Sequence, residues 1–193
     1  MPEAGVVILA GGEGRRIGGR KPETLLQGRR LIDIAVARAA AWNTPAVICV
    51  RRCGQVPSPG ISEILDRADI DGPLGGLFAA IDWAILSDLD RFLTVPCDMP
   101  FLPEDLMPRL IQSSVAEDRP AVAVCDGRRH PICAVWPRSC HQKLEAYAET
   151  GGRSLAGALD FCSAVECVWR SAPRDQFVNV NKLEDLIELT NRP

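Results

Sequence analysis

The feature that most constrains the fold is an alternation: short apolar runs recur along the chain, separated by longer stretches with helical spacing. Val6 to Leu9 reads as a buried strand. Leu31 to Trp42 reads as a helix closed by Asn43 and Pro45, and Ala46 to Val50 as a second strand. Pro73 to Leu86 reads as a helix opened by its proline, and Arg91 to Val95 as a third strand. Pro103 to Ser113 reads as a helix with Pro103 in its first turn. Ala121 to Cys125 and Pro131 to Trp136 read as two strands joined near Asp126-Gly127. Helical patterns follow over Pro137 to Ala148 and Ser154 to Leu159, and Ala164 to Val168 is a late strand. Lys182 to Thr190 is a last helix, with Asn181 and Glu184 spaced as a capping box. Strands separated by helices pair in parallel, because the helices supply the crossovers. The expected class is therefore α/β: a mostly parallel, Rossmann-like sheet with helices on both faces. Such sheets bind ligands at the carboxyl ends of their strands. The chemistry is to be sought just after Leu9, Val50, Val95 and the late strand.

The bulk numbers set bounds on function. At 193 residues, with no repeat, low-complexity segment or linker, the chain is expected to be a single domain spanning residues 1–193. Its net charge of −3 argues against a broad nucleic-acid surface. No window approaches the roughly 18 apolar residues of a membrane span, and the first residues carry no basic leader, so a cytoplasmic location is expected. The eight cysteines form no CxxC pair, and neither His130 nor His141 has a histidine partner at zinc-finger spacing. Several lie inside strand-like runs, such as AVICV and AVAVC, where a thiol behaves as a small hydrophobe. They are expected to be reduced and structural.

The first strand runs directly into AGGEGRRIGGRK. Gly11, Gly12 and Gly14 lack Cβ atoms, so backbone N–H groups can approach an anion closely. Gly18 and Gly19 allow a second bend, and Arg15, Arg16, Arg20 and Lys21 bring positive charge to the same place. The dinucleotide pattern GxGxxG needs glycine at position 17, which is Ile17. A P-loop needs lysine directly after Gly19, where Arg20 stands instead. The loop nonetheless has the makings of a nucleotide-phosphate site.

Asp98 ends the third strand's RFLTVPCD, beside that loop. Mg²⁺ takes one or two carboxylates and completes its shell with phosphate oxygens and water, so one well-placed aspartate suffices to anchor it. The same residue type also suits a plain turn, stiffened here by Pro96 and Pro100. Asp66, after ISEIL, reads as a loop acid on spacing alone. Asn179 and Asn181 flank Val180, and residues two apart in an extended segment share a face, so two amides point one way. Asn181 also suits a helix cap. His130 reads as a base or as a positioned polar residue. Arg153, behind Gly151-Gly152, reads as an anion contact or a solvated side chain.

These pieces together resemble the molybdenum cofactor guanylyltransferases, nucleotidyltransferases with a Rossmann-like sheet. LAGGEGRRIGGRK matches their glycine-rich signature. DGPLGGL at 71–77, VPCDMPFLP at 95–103, RHPICAVWP at 129–137, GGRS at 151–154 and FVNVN at 177–181 follow in order. The resemblance implies that GMP passes from GTP to the terminal phosphate of molybdopterin, or of its molybdenum-loaded form, releasing pyrophosphate. It implies a nucleotide site of Leu9, Ala10, Gly11, Gly12, Gly14, Lys21, Asp66 and Asp98. Lys21 would neutralise phosphate charge and Asp98 would hold Mg²⁺. Arg153, Asn179 and Asn181 would receive the pterin, so the N-terminal half takes the nucleotide and the C-terminal half the pterin. Cofactor-delivery chaperones or recipient molybdoenzymes are the partners that such a role implies. LAGG is the guanylyl form, where cytidylyl relatives tend to read LAAG. Two departures stand out. Arg20-Lys21 replaces the usual Asp-Lys, and VRRC, with Arg51, replaces the Asn that often follows the second strand near the base. The rival readings are a cytidylyl or sugar-phosphate nucleotidyltransferase, a Rossmann-type hydride-transferring enzyme and a non-catalytic nucleotide-binding module.

Overall fold

β1 (Ala4–Leu9) is buried along nearly its whole length and lies at the middle of the site-forming half of a seven-stranded sheet. The computed structural model describes residues 4–12, 21–57, 60–170, 176–180 and 185. The expected last helix falls outside them save for Asp185, which is helical, as do its capping residues Asn181 and Glu184. After β1 come a short hairpin, β2 (Leu25–Leu26) with β3 (Arg29–Arg30), and helix α1 (Leu31–Ala41). Then follow β4 (Ala46–Val50), β5 (Ser62–Leu65), α2 (Pro73–Leu86) and β6 (Arg91–Pro96). The second half carries α3 (Leu106–Glu117), β7 (Ala121–Cys125), β8 (Arg128–Pro137), α4 (His141–Glu149), α5 (Leu155–Phe161) and β9 (Val165–Trp169).

The sheet order is β5-β4-β1-β6-β8-β7-β9. β8 alone runs antiparallel to its neighbours β6 and β7; the other pairings are parallel. The period-two alternation of strand side chains divides the core into two layers. Val6, Ile8, Ile48, Val50, Leu93 and Val95 face α1 and α3, whose Ile32, Ala39, Leu106 and Leu110 cover them. Val7, Val47, Cys49, Phe92, Ala134 and Trp136 face the opposite way, toward α2, α4 and α5. From β1 the chain passes through α1 to β4 on one side, and α2 later carries it back to β6 on the other. Connections that leave β1's neighbourhood in opposite directions open a crevice at the carboxyl ends of β1 and β6. Leu9 pairs there with Cys49 on one side and Pro96 on the other.

The alternation is realised, with instructive shifts. The helix expected from Pro103 begins at Leu106 and runs to Glu117, closed by Asp118 in the left-handed region. Pro103 belongs to the preceding turn, its carbonyl accepting from the Leu106 N–H at 3.2 Å. The proline in the first helical turn is Pro108, where the missing N–H has no intrahelical partner to lose. The late strand sits one residue further on than expected, and β8 extends beyond Pro131 to Trp136 at both ends. β5 and the β2–β3 hairpin are not visible in the pattern. β5 is a four-residue edge strand with no fully buried residue, so it shows no apolar run.

Candidate functional site

β1 is pinned on both flanks where it ends. The Ala10 N–H donates to the Cys49 carbonyl at 2.9 Å, and the Cys97 N–H reaches the Leu9 carbonyl at 3.4 Å. Gly11 and Gly12 therefore leave the sheet in a fixed direction, over a cleft of about 250 Å³ lined also by Leu9, Lys21, Asp66, Pro96 and Asp98. A Cβ on Gly11 would stand 3.0 Å from Asp66 Oδ2 and 3.2 Å from Arg51 Cγ, so a side chain there would press on both neighbours and force them to shift. A Cβ on Gly12 would meet no described atom within 4 Å. The space beside Gly12 belongs to the cleft. Gly14 lies outside the described residues.

Lys21 begins a single 3-10 turn, Lys21–Glu23, and Asp98 follows β6 by two residues. Their side chains form an ion pair, 16% and 14% exposed, at the cleft wall. The loop after the first strand and the acid after the third thus converge on one cleft. Burial, with the Asp98 carboxylate next door, pushes the Cys97 thiol up to about 12. Among the described residues no three histidine, cysteine or acidic side chains gather as a ready-made metal cage. One carboxylate opening on a cleft suits Mg²⁺, which leaves most of its shell to phosphate and water, and does not suit a structural zinc site.

Asp66 extends the β5 edge, its N–H donating to the Val50 carbonyl at 2.8 Å. Its Oδ1 accepts from the Cys49 thiol at 2.9 Å, and its Oδ2 stands 4.0 Å from Arg51 Nε. The segment after Asp66 packs on the first turn of α2. A Cβ on Gly75 would come within 2.7 Å of the Ile70 carbonyl oxygen and 2.9 Å of Arg67's. Gly72, at φ 76°, turns the chain into Pro73, and the start of α2 opens on the cleft. The positive end of a fourteen-residue helix thereby faces the place where an anion would lie.

A second cleft, of about 310 Å³, adjoins the first and shares Pro73 and Ile132 with it. Asn179 lines it together with Arg128, Arg129, His130 and Met99. Among the described residues Asn179 Oδ1 is buried with no hydrogen-bond partner. The segment carrying it is well anchored. The Phe177 ring stacks on His130 at 4.6 Å and meets the Trp169 edge at 5.7 Å. The Val180 N–H donates to the Asp98 carbonyl at 2.9 Å. His130 is thus a packed, buried ring in the second cleft's wall.

The expected residues divide accordingly. Leu9, Gly11, Gly12, Lys21, Asp66 and Asp98 share the first cleft, with Ala10 buried beneath it. Asn179 lines the second. Arg153 lines neither cleft. Its guanidinium donates to the Ala148 and Gly152 carbonyls at the end of α4, although its backbone abuts Gly72. Asn181 lies outside the described residues. The α2 start at Gly72-Pro73 was not singled out from physical signals, although GPLGG, a proline at a helix start among glycines, could have marked it. All eight cysteines are free thiols; seven are buried and Cys53 is exposed.

The MobA-like NTP transferase domain family matches residues 6–162. The molybdenum cofactor guanylyltransferase of Cereibacter sphaeroides is 34% identical over 181 residues, covering 93% of this chain and 92% of the relative. That of a Bradyrhizobium species is 32% identical over 189 residues, covering 94% and 89%. Among solved structures, molybdopterin-guanine dinucleotide biosynthesis protein A from Archaeoglobus fulgidus superposes with a TM-score of 0.77 at 23% identity, covering 96% of each chain. The 4-diphosphocytidyl-2C-methyl-D-erythritol synthase from Anaerococcus prevotii superposes at 0.71 with 12% identity, covering 98% of this chain and 95% of that one. These two likenesses establish a shared fold. The family match and the curated relatives go further: the chain belongs to the MobA-like NTP transferase family and, within it, to the nucleotidyltransferases of the molybdenum cofactor guanylyltransferase type.

Proposed function

We propose that this chain transfers GMP from GTP to the terminal phosphate of molybdopterin, or its molybdenum-loaded form, making the guanine dinucleotide cofactor. The observation that carries the reading is the Lys21–Asp98 pair, set beside a glycine-built backbone cradle in a cleft that shares Pro73 and Ile132 with a second one. Phosphate oxygens of GTP lie against the backbone of Gly11 and Gly12 and before the start of α2. Lys21 turns from Asp98 to the phosphates and offsets the charge that builds on the leaving group. Asp98 is the residue that would hold Mg²⁺, which would supply charge neutralisation between two anionic reactants. The pterin's phosphate enters from the second cleft, where Asn179 offers an acceptor to the heterocycle. Arg153 and Asn181 are assigned to the same substrate from family resemblance.

An oxygen of the pterin's phosphate attacks the α-phosphorus of GTP. The new P–O bond forms as the bond to the α,β-bridging oxygen breaks, and the electron pair leaves with pyrophosphate. A phosphomonoester, with a second pKa of about 6, is already largely dianionic near neutral pH, so no general base is required. The protein's contribution is positioning and charge. Within one chain, the N-terminal half serves the nucleotide and the C-terminal half the pterin. Among the described residues no helix is long and apolar enough to cross a membrane. We place the protein in the cytoplasm, handing its product to delivery chaperones or recipient molybdoenzymes. The test is a purified chain given GTP, Mg²⁺ and molybdopterin, with product and pyrophosphate both measured. Asp98→Asn and Lys21→Ala should each lower kcat/KM by about 100-fold or more, the scale of losing one charge-stabilising group. Undiminished turnover in either variant removes that residue from the mechanism.

A further inference from the structure

Cys140 and Cys162 stand at the open end of a helical hairpin. Cys140 closes the 3-10 turn Arg138–Cys140 that leads into α4, and Cys162 caps the end of α5, its N–H donating to the Ala158 carbonyl at 2.9 Å. Between them α4 runs out, the chain turns through residues 150–154, and α5 returns. The turn and α5 pack tightly on α4: a Cβ on Gly152 or on Gly157 would strike the Tyr147 side chain. At the base of the hairpin both cysteines are buried in one apolar cluster, 3% and 1% exposed, and their thiols hydrogen-bond to each other. The Cys49 and Cys133 thiols, by contrast, bond to Asp66 and Met99. Neither Cys140 nor Cys162 lines either cleft, and the transfer chemistry uses neither.

Two thiols in contact are not equivalent. The one that donates is harder to ionise, and the one that accepts is easier. The bond to Cys162, with burial, pushes the Cys140 thiol up, whereas the hydrogen bond from Cys140, with the Lys143 ammonium adding to it against burial, brings Cys162 below the ordinary thiol range. We propose that Cys140 and Cys162 form a reversible, peroxide-driven disulfide that staples the base of the α4–α5 hairpin. The Cys162 thiolate attacks one oxygen of hydrogen peroxide. The O–O bond breaks, a sulfenic acid forms, and hydroxide leaves to take up a proton as water. The Cys140 sulfur then attacks the sulfenic sulfur. The S–S bond forms, the S–O bond breaks, and a second water leaves with the proton of Cys140. The two thiols have given up two electrons and two protons, and one peroxide has taken them. Hydrogen peroxide is the fitting oxidant because it is little larger than water and needs only a local opening at a helix end. Small-molecule thiols reverse the link by exchange. The staple goes beyond guanylyl transfer and does not depend on it.

The test treats the native full chain with near-stoichiometric hydrogen peroxide and quenches with catalase. Remaining thiols are then blocked with N-ethylmaleimide in denaturant, and the chain is cut with trypsin. Peptide 139–143, which holds Cys140, should appear joined to peptide 154–170, lighter than the reduced pair by two hydrogens. Peptide 154–170 also holds Cys167, so Cys167→Ala should keep the link while Cys162→Ala and Cys140→Ala lose it. Closing a ring of about 23 residues should raise the melting temperature of the oxidised parent by about 5–10 °C, and dithiothreitol should return it. Cys140→Ala should show no such rise. The link in the parent is read without any variant, so a variant that folds poorly leaves the test standing. A native parent whose Cys140 and Cys162 both remain open to N-ethylmaleimide after peroxide overturns the staple. So does one that carries them as sulfinic acids, or links them only once it has been denatured.

Discussion

Gly12→Ala separates the nucleotide cradle from the core that supports it. A methyl group at this position meets no described atom within 4 Å, and the backbone there lies outside the left-handed region. Folding should tolerate the change, with a gain of up to about 1 kcal/mol from the stiffer unfolded chain. The ligand should not tolerate it, because the methyl occupies the space through which a phosphate oxygen approaches the backbone N–H groups. Losing one hydrogen bond to a charged group costs about 1.5–3 kcal/mol, or roughly 10- to 150-fold in affinity. Gly5→Ala, inside β1, is the counterpart. Its Cβ would come within 2.7 Å of Leu89 Cδ1 and 2.8 Å of Trp83 Cζ3. Overpacking of this kind costs about 1–3 kcal/mol, or roughly 2–12 °C in melting temperature for a chain of this size. Nucleotide affinity in the surviving folded protein should be unchanged. Melting curves and GTP–Mg²⁺ calorimetry on the two variants give the crossed pattern: binding lost without stability at Gly12, stability lost without binding at Gly5. A Gly12→Ala protein with parental GTP affinity would refute the phosphate cradle.

Three further outcomes follow from the packing. Burial and the hydrogen bond to Asp66 push the Cys49 thiol above its ordinary range, and burial, with Asp98 adding to it, does the same at Cys133. A folded-state pKa above the unfolded value of about 8.5 gives a contribution intact below that pH and lost above it. Denaturant-measured stability should therefore fall by about 1.4 kcal/mol per pH unit per buried thiol once pH exceeds about 8.5, and Cys49→Ala should remove one thiol's share. A thiol reagent should label Cys53 rapidly in the native protein and reach the other seven only on unfolding, read by peptide mass. Trp136 is fully buried and its indole N–H donates to Thr94 Oγ1 at 3.3 Å, so Trp136→Ala should cost about 3–5 kcal/mol in chemical denaturation.

How much of this was legible in the sequence varies by element. Pro73–Leu86 was readable to the residue, because a proline fixes its start and apolar spacing carries through to its end. The central strands were readable because both of their faces are buried, which forces continuous apolar runs. β5 was not, because at the sheet edge a strand can be half polar. Nor was the choice between Pro103 and Pro108 as the proline of a helix's first turn, since both fit it and tertiary packing of Leu106 and Leu110 decides. For the site, the glycines and Asp98 stood out because they end apolar runs, and topology then explains why they meet. The Lys21–Asp98 contact joins residues far apart in sequence, and no local pattern encodes it. The same holds for Arg51 beside Asp66, which needs β4 and β5 to be neighbours. Arg153 shows the converse: a glycine-flanked arginine looks available, yet its guanidinium caps the end of α4.

Among the described residues, Pro73 and Ile132 line both clefts, and neither side chain can hold water by hydrogen bonds. Under the proposed reaction, the activated α-phosphorus faces a choice between the pterin's oxygen and solvent. Apolar side chains where donor and acceptor sites adjoin would tilt that competition toward transfer and away from wasteful hydrolysis. Two side chains with no acid, base or charge of their own would then serve fidelity, by keeping the competing nucleophile away.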